Sequence, residues 1–342
     1  MFASDNAAPA HPAILDALAR VNAGNMPSYG ADEWTQRAEK LLREVFETDC
    51  AVLLVPTGTA ANAIALAALT PPWGAVFCHR LAHIAQDEAG APEFYTGGAK
   101  LLSLEGAGAK LDPAALDAEA SKYSRERVHW AQPFAVSISQ VSECGAVSTP
   151  PQVNALAEVC RRRGLKLHLD GARFANAMVA SGATAAELSW KAGVDILSFG
   201  ATKNGALGAE AIVCFDKSVA ASLPHLRKRA GHLFSKHRYL AAQMVAYLED
   251  GLWLDLARAA NAKGAALADV MRGAGAGIVH PVDANMIFAR LTQAQARALR
   301  EAGAAFHPSM PDGPDAYRFV CSWATSDEEL ALARRALAAA SR

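Results

Sequence analysis

Short apolar segments alternate with helix-like segments through the middle of this 342-residue chain, and this alternation limits the possible folds more than any other feature. Seven segments have the apolar character of buried strands, at residues 51–56, 74–79, 99–104, 134–139, 165–170, 194–199 and 210–215. Helical patterns occupy residues 57–69 and 150–164, and the second begins with prolines and ends with a glycine. Short apolar strands separated by helices predict an α/β fold with a mostly parallel central sheet and helices on both faces.

The pattern changes after about residue 216. Residues 223–275 have the character of long amphipathic helix, and the last part of the chain mixes strand-like residues 284–291 and 317–323 with helical segments. Such a mixture is typical of a small α+β domain. We therefore predict a large α/β domain over residues 16–245 and a smaller C-terminal α+β domain over residues 246–342, preceded by an N-terminal arm, residues 1–15.

Composition narrows the classes of partner. Apolar residues make up 52% of the chain and charged residues 20%, with a formal net charge of −1. These values favour a folded core and argue against nucleic acid or a membrane surface as the main partner. Six scattered cysteines without a CxxC pair, no recognisable signal peptide, and apolar runs far shorter than the ~20 residues of a membrane span predict a soluble, cytoplasmic protein.

Chemically active residues follow several of the predicted strands. Asp170 ends one strand, Lys203 follows another in FGATKNG, and Gly58 and Thr59 form a turn that opens a helix. His83 follows a further strand. Taken one at a time, Lys203 is explained as an exposed loop lysine, Asp170 as a strand-end carboxylate, and Gly58 and Thr59 as a plain turn and helix cap. Because ligands of such sheets collect at the carboxyl ends of the strands, we expect all of them at one site.

Pyridoxal 5'-phosphate requires this combination of groups. Its aldehyde condenses with a lysine amine whose pKa is lowered by partial desolvation, a role that Lys203 fits. Asp170 is suited to pair with the pyridine nitrogen, and the helix start at Gly58 and Thr59 is suited to hold the phosphate. The ring of His83 can stack on the cofactor. The sequence therefore predicts pyridoxal 5'-phosphate as the cofactor.

A metal site is an alternative explanation for His79 and His83. His79 and His83 are four residues apart, a spacing that zinc sites on helices use. The chain contains no HExxH motif and no convincing third ligand. We therefore predict no bound metal.

Several longer motifs resemble those of one enzyme family. The chain is similar almost from end to end to the low-specificity L-threonine aldolases, which are fold-type I pyridoxal-phosphate-dependent enzymes. The motifs that carry the resemblance are FASDN (2–6), YGADEWT (29–35), GTAAN (58–62), DEAGAPEFYTGGAKL (87–101), LHLDGARFANA (167–177), WKAGVDILSFGATKNG (190–205), KRAGHLFSKHRYLAAQ (228–243) and YRFVCSW (317–323). Ala201 departs from the pattern, since the family commonly has glycine there.

The resemblance implies a role for each matching residue. The catalytic residues would be Lys203, which forms the Schiff base, His83, which we favour as the origin of the base for the β-hydroxyl proton, and His129. The cofactor-binding residues would be Gly58, Thr59, His83, Asp170, Arg173, Lys203 and Arg229. The substrate-binding residues would be Ser4, Tyr29, His83, His129 and Arg318, with the guanidinium of the last holding the substrate carboxylate.

The resemblance also implies a reaction and an assembly. The protein would be an aldehyde-lyase that reversibly cleaves L-threonine, L-allo-threonine and other β-hydroxy-α-amino acids, such as phenylserine, to glycine and an aldehyde. Family members are typically tetramers, so we expect a homotetramer, a dimer of dimers, with sites at the dimer interface. Tyr29 and Arg229 would reach the site of a neighbouring subunit, and the N-terminal arm would contribute Ser4.

Two other functions are compatible with the same residues. Another fold-type I activity, such as β-elimination or racemisation, would use the same lysine, aspartate and phosphate turn. A cofactor-binding protein without catalysis would need the cofactor site but neither His83 nor the Arg318 clamp. The sequence leaves open the preferred substrate and its stereochemistry, the physiological direction and any bound cation.

Overall fold

A computed structural model of the protein describes residues 2–340. The helices in this part of the chain are α1 Pro12–Val21, α2 Glu33–Val45, α3 Gly58–Leu69, α4 His83–Gln86, α5 Ala91–Thr96, α6 Pro113–Ala120, α7 Pro150–Arg163, α8 Phe174–Ser181, α9 Lys217–Ala220, α10 Leu223–Arg229, α11 Arg238–Leu248, α12 Leu252–Gly273, α13 Gln293–Glu301 and α14 Asp327–Ala340. The strands are β1 Ala51–Val55, β2 Gly74–His79, β3 Lys100–Leu104, β4 Gln132–Ser139, β5 Lys166–Gly171, β6 Ile196–Gly200, β7 Glu210–Cys214, β8 Gly277–Ile278, β9 Met286–Arg290, β10 His307–Pro308 and β11 Ala316–Val320.

Seven strands form the large central sheet, in the order β1-β7-β6-β5-β4-β2-β3. The pairs among β2, β3, β4, β5 and β6 are parallel, whereas β7 runs antiparallel to both of its neighbours. All seven strands predicted from the sequence are present, with ends that differ by one or two residues. The predicted α/β fold with a mostly parallel sheet is confirmed.

Helices cover both faces of this sheet, and the strand pattern explains why. Successive side chains of a strand point to opposite faces. In β1, Leu53 and Val55 pack with residues of α3 on one face, while Val52 and Leu54 belong to the core that includes residues of α2, α7 and α11 on the other. A strand that is buried on both sides must be apolar throughout, which accounts for the continuous apolar runs.

A second, smaller sheet has the order β10-β11-β9-β8, and all of its pairs are antiparallel. It packs with α12, α13 and α14 around its own apolar core, which contains Leu267, Ile287 and Phe319. Residue 245, the predicted domain boundary, falls inside α11, and the buried Trp253 still belongs to the core of the large sheet. We therefore propose a large and a small domain whose boundary lies within α12. The first part of this helix packs in the core of the large sheet, and the later part packs in the core of the small sheet.

The long helix expected after residue 216 is interrupted. The segment forms α9, α10, α11 and α12 in place of one continuous helix. Gly231 and Gly251 adopt positive φ angles of 79° and 73°, a conformation that ends a right-handed helix. The amphipathic pattern continues across these breaks, so periodicity alone did not reveal them.

The N-terminal arm lies against both sheets. The carbonyl oxygen of Phe2 accepts a hydrogen bond from the backbone N–H of Val320 in β11, at 2.9 Å. The backbone N–H of His11 donates to the carbonyl oxygen of Gly205, just beyond β6, at 2.8 Å. Between these two anchors the chain forms a 3₁₀ turn, Asp5–Ala7, with Ser4 as its N-cap. The arm is therefore held by contacts with the small and the large sheet.

Within residues 2–340, no helix combines the length and apolar character needed to cross a bilayer.

Candidate active site

A cavity of about 630 Å³ opens at the carboxyl edge of the large sheet, between that sheet and the small one. Its size lies within the range of ordinary small-molecule sites. Seven of the residues predicted from the sequence line it, namely Ser4, Gly58, His83, Asp170, Arg173, Lys203 and Arg318. The structure thus brings the predicted strand-end residues to one place, together with the N-terminal arm and a strand of the small sheet.

Lys203 lies on a 3₁₀ turn, Thr202–Asn204, directly after β6. The end of β6 that leads into this turn lies closely against the residue after β5, since a Cβ atom on Gly200 would lie 2.6 Å from the backbone of Ala172. Burial lowers the pKa of the Lys203 amine, and the nearby Arg173 guanidinium lowers it further. A lysine that releases its proton more readily is a better nucleophile toward an aldehyde.

Asp170 ends β5, and hydrogen bonds fix its carboxylate. Oδ2 accepts from Nδ2 of Asn62, at 2.8 Å, and Oδ1 accepts from the backbone N–H of Ala172, at 3.0 Å. Asn62 lies one turn into α3 and is almost fully buried. The carboxylate is therefore held in one orientation at the base of the cavity.

His83 begins the short helix α4 and is paired with a buried carboxylate. Its Nδ1 donates to Oε1 of Glu88 over 2.8 Å, and the same oxygen accepts from Nδ2 of Asn62. The hydrogen bond to Glu88 raises the pKa of His83, against the opposing effect of burial. Asn62 therefore connects the histidine–glutamate pair to Asp170, and the three side chains position one another.

The start of α3 offers donors for an anion. The first N–H groups of a helix lack partners within the helix. Thr57, the N-cap, accepts from the backbone N–H of Ala60, at 3.2 Å, which leaves the N–H groups of Gly58 and Thr59 at the helix end. A Cβ atom on Gly58 would meet no other heavy atom within 4 Å, so there is room beside this backbone for a bound group.

Two arginines place positive charge at the other side of the cavity. Arg173 forms a bidentate ion pair with the buried Asp5 of the arm, with Nε–Oδ2 and Nη2–Oδ1 distances of 2.6 and 2.8 Å. Arg318, on β11, is partly buried, and its Nε is without a hydrogen-bond partner among the described residues. Burial, followed by the charge of Arg173, lowers the pKa of Arg318. An unpaired guanidinium of this kind is suited to bind a carboxylate.

Four of the predicted residues do not line the cavity of their own chain, namely Thr59, which follows the lining residue Gly58 at the start of α3, and Tyr29, His129 and Arg229. Tyr29 and Arg229 are exposed, and the Tyr29 ring lies under the Lys228 ammonium group, at 4.9 Å. His129 is also exposed and precedes β4, so it lies at the amino edge of the sheet, and the strand itself spans about 23 Å from Gln132 to Ser139. The structure does not bring His129 to this cavity, because the matched segment comes before a strand and the site is built from residues that follow strands.

His79 and His83 are not arranged as a metal pair. The ring of His79 is engaged with the backbone on both sides, since Nδ1 accepts from the N–H of Leu81 at 3.1 Å and Nε2 lies 3.2 Å from the carbonyl oxygen of Gly106. His83 uses its own Nδ1 for Glu88. The two imidazoles therefore serve different local structures.

Sequence reasoning missed the polar residues that support the site. Asn62, Glu88 and Glu143 were not assigned roles, although the first two lie within the motifs GTAAN and DEAGAPEFYTGGAKL. Glu143 follows β4 at the carboxyl edge and lines the cavity. The strand-end criterion that selected Asp170 and Lys203 would have selected Glu143 also.

Comparison with known proteins connects this cavity to one family. A family model described as beta-eliminating lyase matches residues 1–294. The low specificity L-threonine aldolase of Pseudomonas aeruginosa is 42% identical over 96% of this chain and 94% of the relative. The enzyme of the same name from a Pseudomonas species is 41% identical over 99% of this chain and 98% of its own length. The chain belongs to the low specificity L-threonine aldolases of the beta-eliminating lyase family.

A solved structure agrees with this assignment. The threonine aldolase of Leishmania major superposes with a TM-score of 0.93 at 29% identity and covers 99% of both chains. The family depends on pyridoxal phosphate, and its members are lyases. The residues present fit that cofactor: an amine of lowered pKa, a fixed carboxylate, an imidazole and a helix start with open space beside it. The cofactor predicted from the sequence is thus confirmed at the level of the family.

Proposed function

We propose that the protein is a pyridoxal-phosphate-dependent aldolase that reversibly cleaves L-threonine, L-allo-threonine and other β-hydroxy-α-amino acids, including phenylserine, to glycine and an aldehyde. The observation that carries the proposal is the convergence of Lys203, Asp170, His83 and Arg318 on one cavity. Bound cofactor supplies an electron sink for the pair released when the Cα–Cβ bond breaks. The protein has to bind the substrate, orient that bond and move one proton.

Each of these tasks has a candidate residue. Lys203 would attach the cofactor, Asp170 would face its pyridine nitrogen, and the N–H groups at Gly58 and Thr59 would hold its phosphate. Arg173, which the resemblance placed near the cofactor, lines the cavity while its guanidinium holds Asp5. The roles of these residues toward the bound cofactor are part of the proposal.

The substrate carboxylate has its own candidates. Arg318 would bind it through a two-pronged contact, and Ser4 would add a hydroxyl from the arm. Fixing the carboxylate at one side of the cavity determines which bond at Cα is aligned for cleavage. This orientation separates aldol cleavage from the other reactions that the same cofactor supports.

We also propose a homotetramer, a dimer of dimers, in the cytoplasm. The exposed positions of Tyr29 and Arg229 support a contribution of both side chains to a neighbouring subunit. Large exposed apolar side chains, including Phe94 and Leu207, support burial of part of this surface in an assembly. All six cysteines are free thiols, which supports a reducing compartment. Sedimentation of the purified protein would measure the number of subunits.

The test of the reaction is product identification. The purified protein is incubated with L-threonine, L-allo-threonine, phenylserine and L-serine, and with L-alanine as a control that lacks the β-hydroxyl group. We expect glycine and the corresponding aldehyde in equal amounts from the hydroxy amino acids and neither product from L-alanine. A 2-oxo acid with ammonia would instead identify β-elimination, and inversion at Cα without cleavage would identify a racemase. Either of these outcomes would overturn the proposed aldolase.

A further inference from the structure

We propose that Glu143 is the residue that accepts the β-hydroxyl proton during Cα–Cβ cleavage, a role that the sequence interpretation gave to His83. The inference rests on the aldolase function proposed above. It follows from the position of Glu143, from its hydrogen bonds and from the different use that the structure makes of His83.

Glu143 lies four residues beyond the end of β4, in the segment that crosses the carboxyl edge of the sheet. It lines the same cavity as Lys203, Asp170, His83 and Arg318. The lysine and aspartate mark the cofactor side of this cavity, and the arginine marks the side proposed for the substrate carboxylate. Glu143 is therefore in the compartment where the β-substituent of a substrate must lie.

Hydrogen bonds hold only one oxygen of the Glu143 carboxyl group. Oε1 accepts from the Ser139 hydroxyl at 2.5 Å and from the backbone N–H of His83 at 3.0 Å. Oε2 is buried and has no hydrogen-bond partner among residues 2–340. Buried polar atoms are nearly always paired, so a buried oxygen without a partner on a residue that lines the cavity indicates a missing partner such as a ligand. A substrate hydroxyl would supply that partner.

The ionisation of Glu143 suits proton transfer. Burial raises its pKa to about 7, while the hydrogen bond from the Ser139 hydroxyl opposes the rise. No lysine or arginine of the described chain forms a salt bridge with it. A group that titrates near neutral pH is present in both forms, so it can take a proton in one direction of the reaction and return it in the other.

His83 is engaged differently. Its Nδ1 donates to Oε1 of Glu88, and that hydrogen bond raises the pKa of the imidazole, so His83 is already engaged with a carboxylate of its own. Its backbone N–H, moreover, orients the carboxyl group of Glu143. We therefore assign His83 to positioning, by stacking and by this hydrogen bond, and Glu143 to the proton transfer itself.

The step balances without any further reactant. The β-hydroxyl proton passes to Oε2 of the ionised Glu143, and the electrons of the O–H bond form the carbonyl group of the aldehyde. The Cα–Cβ bond breaks, and its electron pair remains with the glycine fragment, which takes up a proton from solvent at Cα, while Glu143 releases its proton to solvent. In the reverse direction, protonated Glu143 returns its proton to the aldehyde oxygen.

The decisive variant is Glu143→Gln in the holoenzyme, which keeps the size and most hydrogen bonds of the side chain but cannot accept the proton. We expect aldehyde release to fall by ~10²–10⁴-fold. Exchange of the Cα proton of glycine with deuterated water, which involves no β-hydroxyl group, should continue at the wild-type rate. Glu143→Asp should recover part of the aldehyde release, and the surface control Glu105→Gln should match the wild type.

A spectroscopic measurement tests the carboxyl group independently of turnover. Burial raises the pKa of both Glu143 and Glu210 to about 7. Infrared spectra of the wild-type protein should therefore contain buried carboxylic-acid bands that disappear as the pH rises through this value. Glu143→Gln should remove one of these bands and Glu210→Gln the other. Retention of both bands in Glu143→Gln would overturn the inference.

The outcomes separate this inference from the proposed function. A wild-type protein that exchanges the glycine proton but releases no aldehyde would overturn the aldolase function, and the inference with it. A working aldolase whose Glu143→Gln variant releases aldehyde at the wild-type rate, or loses glycine exchange to the same extent as aldehyde release, would overturn the inference alone. If Glu143→Gln does not fold, His83→Asn decides: the rise of kcat/KM with pH near 7 should persist in that variant, and its loss would assign the base to His83.

Discussion

The two edges of the large sheet carry similar residues in opposite circumstances. At the amino edge, Lys166 is paired with Asp216 and Asp195, with Nζ–O distances of 2.5 and 3.3 Å, and its side chain is 41% exposed. At the carboxyl edge, burial lowers the pKa of Lys203, and Glu143 has a buried oxygen without a hydrogen-bond partner among the described residues. The amino edge pairs its charges in solvent, whereas the carboxyl edge keeps them buried and incompletely paired.

This difference indicates which edge of the sheet carries reactive groups. Exposed ion pairs contribute little to stability and nothing to reactivity. Burial without a full set of partners destabilises a charged form and moves pKa values toward neutrality. The carboxyl edge therefore gives up stability for reactive groups, and substitutions at the two edges should have different consequences.

The largest contrast is expected between the two lysines. Lys203→Ala removes the attachment point of the cofactor and should lower kcat by ~10⁴-fold or more, as removal of a covalent nucleophile does. Lys166→Ala should leave kcat unchanged and lower the free energy of unfolding by at most about 1 kcal/mol, the range of an exposed ion pair. Steady-state kinetics and urea denaturation measure both effects. Comparable activity in the two variants would contradict the comparison.

The pH dependence of stability should have opposite signs at the two edges. Burial raises the pKa of Glu210 from 4.5 to about 7, so the unfolded chain ionises this group first and stability falls as the pH rises between these values. The expected loss is on the order of 3 kcal/mol. Hydrogen bonding from Arg163 lowers the pKa of Asp117 at the amino edge, so its contribution is lost as the pH falls below 3.8.

Denaturation of Glu210→Gln and Asp117→Asn at several pH values measures these slopes. Relative to the wild type, Glu210→Gln should gain stability between pH 5 and pH 8, because it has no proton to release. Asp117→Asn and the wild type should have the same free energy of unfolding in strong acid, where Asp117 is protonated. Parallel pH curves for Glu210→Gln and the wild type would show that this buried carboxyl group does not titrate in that range.

A smaller effect is expected for the substrate clamp. Arg318→Lys keeps the charge but not the planar fork, so kcat/KM for L-threonine should fall by ~10–100-fold, the equivalent of one hydrogen bond to a charged group. Arg290→Lys is a matched control in the neighbouring strand β9, where the arginine pairs with Asp315 on the exposed side at 2.6 Å. We expect the control to retain the wild-type kcat/KM. Equal losses in both variants would remove the assignment of Arg318.

The smallest effect is expected at the amino edge. His129→Ala should change kcat/KM by less than about twofold, since exposed side chains far from a site contribute little. Kinetics with L-threonine and with phenylserine test this expectation. A large loss would show that His129 contacts substrate, the role that the family resemblance implied for it, and would place it at the cavity of a neighbouring subunit.

Much of the fold could be predicted because burial on both faces produces a distinct sequence pattern. The seven strands of the large sheet are continuous apolar runs, and the residues that follow them indicated Asp170 and Lys203. The interruptions at Gly231 and Gly251 were missed because an amphipathic pattern persists across a glycine. Asn62 and Glu88 were missed because their importance arises from contacts between distant segments, which spacing along the chain does not reveal.

The anchoring of the N-terminal arm has a consequence for the order of events during synthesis. Ser4 and Asp5 are made before the large sheet, but Asn285 and Val320, which bond to Asp5 and to the carbonyl oxygen of Phe2, are made after it. The large sheet, by contrast, has all of its strands by residue 214. A nascent chain can therefore assemble the cofactor side of the cavity long before the arm finds its place. The substrate side is completed only after the large sheet, when β11 is made and brings Arg318 with it.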